Sequence, residues 1–324
     1  MTKLYTVSTS EKGERVFLPC PDRPVPQGGL LALGCFDGVH PGHRALLKKA
    51  RAEADRLGIP LGVWSPAGAK KTGRLLTLED KLSVFASLGV DFYIEVPFEE
   101  IRDLSPMEFV EGYLMDRYAV RALACGENFT FGKDGQGDAE TLQMMAALFT
   151  RITYIVPLES EGGAPISSNR VRTCLATGDL EGAKRLLGEN YGFHATVEAG
   201  RRVGRALGFP TANLPLPKGS PLKRGVYALW VWFDGKRLPA LANVGVHPTF
   251  QQAEEPLLEA EEPLLEAYLL KDPERPLYGK ELRVEFLRFL RPERAFSSPE
   301  ELKAQISRDV ALALSEVFCS DGKG

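Results

Sequence analysis

Apolar and polar positions alternate in two different rhythms along this chain. Leu30–Leu31–Ala32–Leu33 is an unbroken apolar run, and such runs form strands buried on both faces. Arg44–Ala45–Leu46–Leu47–Lys48–Lys49–Ala50 follows it with helical spacing. Leu61–Gly62–Val63–Trp64 reads as a second strand and Tyr93–Ile94–Glu95–Val96 as another, with a helix capped by Thr77 and running to about Leu88 between them. Ser105–Pro106–Met107–Glu108 opens a further helix with a capping box and Pro at its first helical position. Val120–Cys125 and Ile152–Val156 are strands again, separated by a helix over Asp138–Phe149. Repeated strand–helix units over residues 29 to about 187 predict a parallel, doubly wound α/β sheet.

The rhythm shortens after Gly188. Phe193–Ala199, Gly225–Phe233, Leu238–Val244, Leu265–Leu270 and Leu282–Leu290 read as strands separated by Gly/Pro-rich turns, which predicts a small antiparallel β-barrel. Ser298–Pro299–Glu300–Glu301 starts a final helix to about Phe318, with Leu302, Ile306, Val310 and Leu314 on one face. The expected domains are therefore 1–187 and 188–324. Between the barrel strands, Glu254–Ala260 and Glu261–Ala267 are the same heptapeptide in tandem. Seven is odd, so an insertion inside a strand would exchange its faces. The repeat is expected to extend a loop that leads into the strand.

Composition narrows the function classes. At 324 residues the length suits two domains, and 44% hydrophobic with 26% charged residues is ordinary for globular protein. A net charge of −3 provides no field for nucleic acid. No apolar run approaches the roughly 18 residues a membrane span needs. The N-terminus has no apolar signal core. The five Cys are scattered without CxxC spacing, as expected of reduced thiols in a cytoplasmic protein. A monomer or weak homo-oligomer is expected.

The candidate chemistry begins where the first buried strand stops. In Gly34–Cys35–Phe36–Asp37–Gly38–Val39–His40–Pro41–Gly42–His43, glycines precede a helix start, and two of the chain's four His stand three residues apart. Glycines let backbone approach phosphate, and a helix N-terminus supplies N–H groups and positive dipole. His40–Pro41–Gly42–His43 resembles the HxGH signature of nucleotidylyl transferases. The longer Phe36–His40 string is similar to the prokaryotic bifunctional riboflavin kinase/FMN adenylyltransferase (FAD synthetase) family.

That resemblance extends along the chain. Arg74–Leu75–Leu76–Thr77 resembles the family's basic loop, with Arg74 toward phosphate. Gly126–Gly132 supplies Asn128, Phe129 and Phe131 for a flavin or adenine wall. Ser167–Ser168–Asn169–Arg170–Val171–Arg172 resembles its S-S-T-x-x-R-type signature, with Ser167 and Ser168 on phosphate oxygens and Arg170 on developing charge. The resemblance implies a nucleotidylyl transferase-like, Rossmann-like N-terminal domain. There His40, His43 and Arg170 serve catalysis, and Gly34, Phe36, Asp37 and Gly38 cradle ATP phosphates. Two departures stand out: Trp64–Ser65–Pro66–Ala67–Gly68 lacks the His of the family's F-x-P-H-P, and Asn169 replaces the signature's Thr.

In the second half, Gly208–Phe209–Pro210–Thr211–Ala212–Asn213–Leu214 looks like the riboflavin kinase GFPTAN motif, preceded by Gly200 and Gly204–Leu207. Gly200, Gly208 and Pro210 are read as a phosphate loop, and Thr211 and Asn213 as hard oxygen ligands for Mg²⁺. Gly225–Ala228, Asn243–Val244–Gly245, Pro248–Phe250 and Leu277–Tyr278–Gly279 continue the match in order. The family places a general-base carboxylate on a strand between the last two. Glu259 and Glu266 share identical local sequence, and Glu266 is chosen because it enters Ala267–Leu270, with Tyr268 on the same face and toward flavin. The chain has no G-x-x-x-x-G-K-[ST] loop.

The implied enzyme phosphorylates riboflavin to FMN in its C-terminal half and adenylylates FMN to FAD in its N-terminal half, using ATP and Mg²⁺. Its partners are small molecules, with neither nucleic acid nor membrane. The alternatives are a riboflavin kinase with a degenerate adenylyltransferase half, and a flavin- or nucleotide-binding regulator without turnover.

Overall fold

The computed structural model describes residues 2–10, 14–20, 26–68, 73–198, 211–245 and 263–319. The chain divides into two compact units, Met1–Lys71 with Leu78–Ser167, and Thr72–Thr77 with Ser168–Gly324.

The first unit runs β1 (Lys3–Thr9), β2 (Arg15–Pro19), β3 (Leu30–Leu33), α1 (Pro41–Leu57), β4 (Leu61–Ala67), α2 (Leu78–Ser87) and β5 (Phe92–Pro97). It continues through α3 (Pro106–Glu108), which passes into a π-helical stretch over Phe109–Asp116, then β6 (Ala122–Gly126) and the short pair β7 (Thr130–Phe131) and β8 (Gly137–Asp138). The unit ends with α4 (Ala139–Leu148), β9 (Ile152–Val156) and the short pair β10 (Ser160–Glu161) and β11 (Ala164–Pro165). Its main sheet has the order β2-β1-β5-β4-β3-β6-β9. The pairs β3–β4, β4–β5, β3–β6 and β6–β9 are parallel, as the repeated strand–helix pattern predicts. From β3 the chain winds out through β4 and β5, then returns to β6 on the other side of β3. The carboxyl ends of β3 and β6 thus flank the switch point where open α/β sheets bind ligands.

Three local features refine the expectation. An antiparallel ribbon, β1 with β2, extends the sheet at the β5 edge. Strand β4 runs to Ala67, beyond the anticipated Trp64. The helix opened by Ser105 has both halves of its capping box, Ser105 N to Glu108 Oε2 at 2.7 Å and Glu108 N to Ser105 Oγ at 3.3 Å. Its π-helical continuation places Phe109 and Tyr113 parallel, 6.0 Å apart, against Trp64.

The second unit contains α5 (Ser168–Thr177), α6 (Leu180–Leu187), β12 (Gly192–Thr196), β13 (Thr211–Pro215), β14 (Gly225–Phe233), β15 (Lys236–Gly245), β16 (Leu264–Leu269), β17 (Glu281–Arg291) and α7 (Pro299–Glu316). The strands form one antiparallel sheet, β12-β17-β14-β15-β16-β13. A bridge between Glu198 and Asn213, with Glu198 N donating to Asn213 O at 2.9 Å, links the sheet's two ends and curls it into a half-barrel. Inside lie Tyr227, Leu229, Val231, Leu214, Leu265, Val284 and Phe286, all buried. The final helix begins at Ser298 as the capping signal predicts and packs on Ala228 and Leu241 through Ala313 and Val310.

Helices α5 and α6 cluster with the half-barrel. Lys223 N donates to Leu175 O at 3.1 Å, and a Cβ on Gly178 would stand 3.1 Å from the Phe289 ring. The segment 73–77 belongs to this unit as well. Arg172 Nε donates to Gly73 O at 3.0 Å, Arg74 N to Lys218 O at 3.0 Å and Tyr191 Oη to Leu75 O at 2.9 Å. Leu75 is wholly buried.

Candidate active sites

In the first unit the turn after β3 is built on strained backbone. Phe36 (φ 48°) and Val39 (φ 34°) occupy the left-handed region, with Gly38 (φ 82°) between them. A β-branched residue there is costly, about 1–3 kcal/mol, and persists because the surroundings hold it. Those surroundings are visible. Phe36 and Val39 are buried, Ser65 Oγ donates to Cys35 O at 2.9 Å, Gly34 N to Trp64 O at 3.2 Å and Arg44 Nε to Val39 O at 3.1 Å. Ser65, one residue past the anticipated end of β4, thereby ties the turn to the neighbouring strand.

His40 is the N-cap residue of α1, with Pro41 at the first helical position and no side-chain cap bond. The first-turn N–H groups of any helix lack intrahelical acceptors. The His40 and His43 rings stack, centroids 3.8 Å apart at 18°. Phe36 lies 5.1 Å from His43, tilted at 46°, and packs edge-on against Phe85. Burial pushes the His40 imidazole down to about 4, against a smaller opposing pull from Asp37. His40 is therefore neutral at pH 7 and can offer an anion an N–H but no charge. A Cβ on Gly42 would stand 3.4 Å from the His40 ring, so glycine leaves the helix start open beside it.

The second motif follows β6, next to β3. Glu127 N donates to Val156 O at 3.1 Å and its carboxylate accepts from Leu158 N at 3.2 Å, which ties the loop to β9. Asn128 is exposed and Phe129 half-buried. Phe131 is buried in the aromatic cluster, 5.3 Å from Phe109, and stacks behind Phe129 at 5.9 Å. Asn128 and Phe129 thus face outward at the switch point while Phe131 supports them from the core.

The chain leaves the first unit at Ser167, and Ser168, Asn169 and Arg170 start α5 in the second. Counting from Ser167, the sixth position of the signature is Arg172. It is the residue this reading of the motif passed over, although the spacing itself pointed to it. Arg172 is buried, bonding Gly73 O and, through Nη1, Asn169 Oδ1 at 2.9 Å, whereas Arg170 is only half-buried. Asn169 thus fills the Thr position with a carboxamide that holds Arg172. Arg74 is exposed.

In the second unit Thr211 and Asn213 stand on strand β13, although the glycine-rich context read as loop. Gly200, Gly208, Pro210 and Glu259 lie outside the described residues. Asn213 pairs with Glu266 across β13–β16, and Glu266 pairs with Asn243 across β16–β15. Thr211 pairs with Tyr268. Directly opposed residues of antiparallel strands share a face, so Thr211, Asn213, Glu266, Tyr268 and Asn243 line one surface. Leu265 and Ala267 point to the buried side. The second repeat copy supplies the strand, and β16 keeps its register with both neighbours from Leu264 onward. Asn213 is buried, and among the described residues its Oδ1 has no hydrogen-bond partner. An orphaned carboxamide oxygen beside a carboxylate and a hydroxyl suits a hard cation such as Mg²⁺.

Known proteins resemble both units. A sequence model for riboflavin kinase matches residues 187–317, and one for FAD synthetase matches residues 22–170. The bifunctional riboflavin kinase/FMN adenylyltransferase of Escherichia coli K12 is 36% identical over 89% of this chain and 92% of its own length. The Bacillus subtilis 168 protein of the same name is 34% identical over 88% and 91%. A crystal structure described as a macrolide-efflux protein from Streptococcus pneumoniae has a TM-score of 0.72 at 25% identity, over 90% of this chain and 95% of that one. No helix among the described residues is long and apolar enough to cross a membrane. With two family matches in order, and relatives above 30% identity over nearly their whole length, this chain belongs to the bifunctional riboflavin kinase/FMN adenylyltransferase family.

Proposed function

We propose that the chain makes FAD in two ATP-dependent steps, riboflavin to FMN in the second unit and FMN to FAD in the first, with functional domains meeting near 187/188. The opposition of Glu266 to Asn213 across β16 and β13 carries the kinase reading. Glu266 accepts the proton of the riboflavin hydroxyl as that oxygen attacks the γ-phosphorus and ADP leaves. Tyr268 and Thr211 bound the flavin and phosphate sides of the same face. Thr211 and Asn213 would hold Mg²⁺, which neutralises charge on the ATP phosphates when bound. Gly200, Gly208 and Pro210 complete the phosphate loop by resemblance alone.

For the adenylyl step, the FMN phosphate is already anionic and needs no protein nucleophile. It attacks the α-phosphorus, and pyrophosphate leaves. His40 donates an N–H as a neutral imidazole, His43 lies stacked on it, and Gly34, Phe36, Asp37 and Gly38 set the cradle. Asn128 and Phe129 bound the flavin, with Phe131 behind. Ser167, Ser168 and Arg74 are assigned to phosphates from the motifs, and Arg170, two residues before the signature's own Arg172, is assigned to developing charge. The Ala67 position, where the family carries His, favours one competing reading, a kinase without the second step. The chain works as a cytoplasmic monomer or weak homo-oligomer on small molecules.

Purified protein incubated with riboflavin, ATP and Mg²⁺ is expected to release FMN with ADP, then FAD with pyrophosphate, resolved by chromatography. Supplied FMN that stays unconverted would favour the kinase alone. Flavin bound tightly with ATP untouched would favour a regulator.

A further inference from the structure

The proposed mechanism leaves one member of the Glu266 row without a task. Asn213, Glu266 and Asn243 lie side by side on β13, β16 and β15. Asn213 is assigned to the cation, whereas Asn243 flanks the carboxylate from the other side. Its carboxamide is held in place, with Nδ2 donating to Glu293 Oε1 at 3.1 Å. A carboxylate only accepts, so this bond fixes which end of the amide is nitrogen. The bond leaves the second N–H and Oδ1 of the amide for other partners.

The backbone makes room for this contact. Gly245 is two residues beyond Asn243 on the same face. A Cβ there would overlap the Glu293 carboxylate and stand 3.0 Å from Asn243 Nδ2. The segment carrying Glu293 is pinned on both sides. Arg291 pairs with buried Asp309 at 2.8 Å, and Arg294 pairs with Glu301 at 2.9 Å. An exposed glutamate therefore reaches through a glycine slot onto one amide, and that amide adjoins the proposed base.

We propose that Asn243, locked by Glu293 in the slot left by Gly245, is a positioning residue that sets the orientation of the Glu266 carboxylate for riboflavin phosphorylation. This rests on the reading of Glu266 as the base. Misplacing a catalytic group by about 1 Å costs on the order of 100-fold. In the full chain, Asn243→Ala is expected to lower kcat for phosphorylation roughly 10- to 100-fold, with the KM values for riboflavin and ATP held within about twofold. Glu293→Ala, at an exposed site, should reproduce that loss, and Glu293→Gln, which keeps an acceptor, should restore most of it. The double variant Asn243→Ala/Glu293→Ala should be no slower than either single one, as coupled residues are. FAD formation from supplied FMN should be unchanged in all four. Unchanged kcat in Glu293→Ala, additive losses in the double variant, or losses that track the melting temperature would overturn the assignment. Glu266→Gln separates it from its foundation. If that variant still phosphorylates riboflavin, the base is misassigned. If it is inactive while Asn243→Ala and Glu293→Ala are normal, only the positioning role fails.

Discussion

His40 is a base that burial keeps from taking up a proton until the pH is well below its usual range. Its pKa in the fold is about 4 against 6.5 when solvated. The sign follows from which state takes up protons. Below pH 6.5 the unfolded chain binds a proton that the folded chain refuses until about pH 4, so stability is fully present above 6.5 and lost as pH falls. The difference is worth about 3 kcal/mol at its limit. Urea unfolding at pH 7.5 and pH 5 should show a larger loss for the native protein than for His40→Asn. Equal losses would remove His40 as the cause. The two active sites should separate by single substitutions as well. Glu266→Gln should abolish FMN formation and spare FAD formation from FMN, whereas Glu259→Gln should leave both intact. His43→Ala should slow adenylylation by two orders of magnitude or so, in line with loss of a positioned transition-state donor, and spare the kinase. Product chromatography reads all three.

The elements carry their functional residues because neighbouring elements deny them alternatives. Strand β4 holds Gly62 where a Cβ would collide with the Phe92 ring and stand 2.7 Å from Leu31 Cδ2. That close approach lets β4 and β5 pack tightly beside β3, whose end bears the histidine turn. Gly62→Ala should cost about 1–3 kcal/mol by overpacking, seen as a lower urea midpoint with an unchanged slope. The heptapeptide repeat makes the same point for β16. The copy that pairs with β13 and β15 becomes strand, and its partners decide which of two identical glutamates lies opposite Asn213.

At the scale of the molecule, the division of the chain does not follow its change of texture. Lys223 N donating to Leu175 O, and Lys223 Nζ donating to Thr177 O at 3.3 Å, join α5 to the half-barrel. The texture changes at 187/188. The compact unit begins earlier, at Ser168, and borrows Thr72–Thr77. A chain starting at Ser168 should therefore melt at a higher temperature than one starting at Gly188, with better retained riboflavin phosphorylation. Equal melting would show that α5 and α6 contribute no stability to the barrel.

Much of this protein was determined by local sequence. Buried apolar runs marked the parallel strands, capping boxes at Ser105 and Ser298 marked helix starts, and glycines beside His40 marked the turn into α1. These signals act over a few residues, where propensity and hydrogen-bond satisfaction decide the outcome. Tertiary structure decided the rest. The β1–β2 edge ribbon, the strand at Thr211–Pro215, the lowered proton affinity of His40 and the reach of Glu293 to Asn243 all depend on partners distant in sequence. Strand pairing, burial and the slot above Gly245 exist only once those partners meet. Short polar stretches are compatible with many neighbours, and packing selects one.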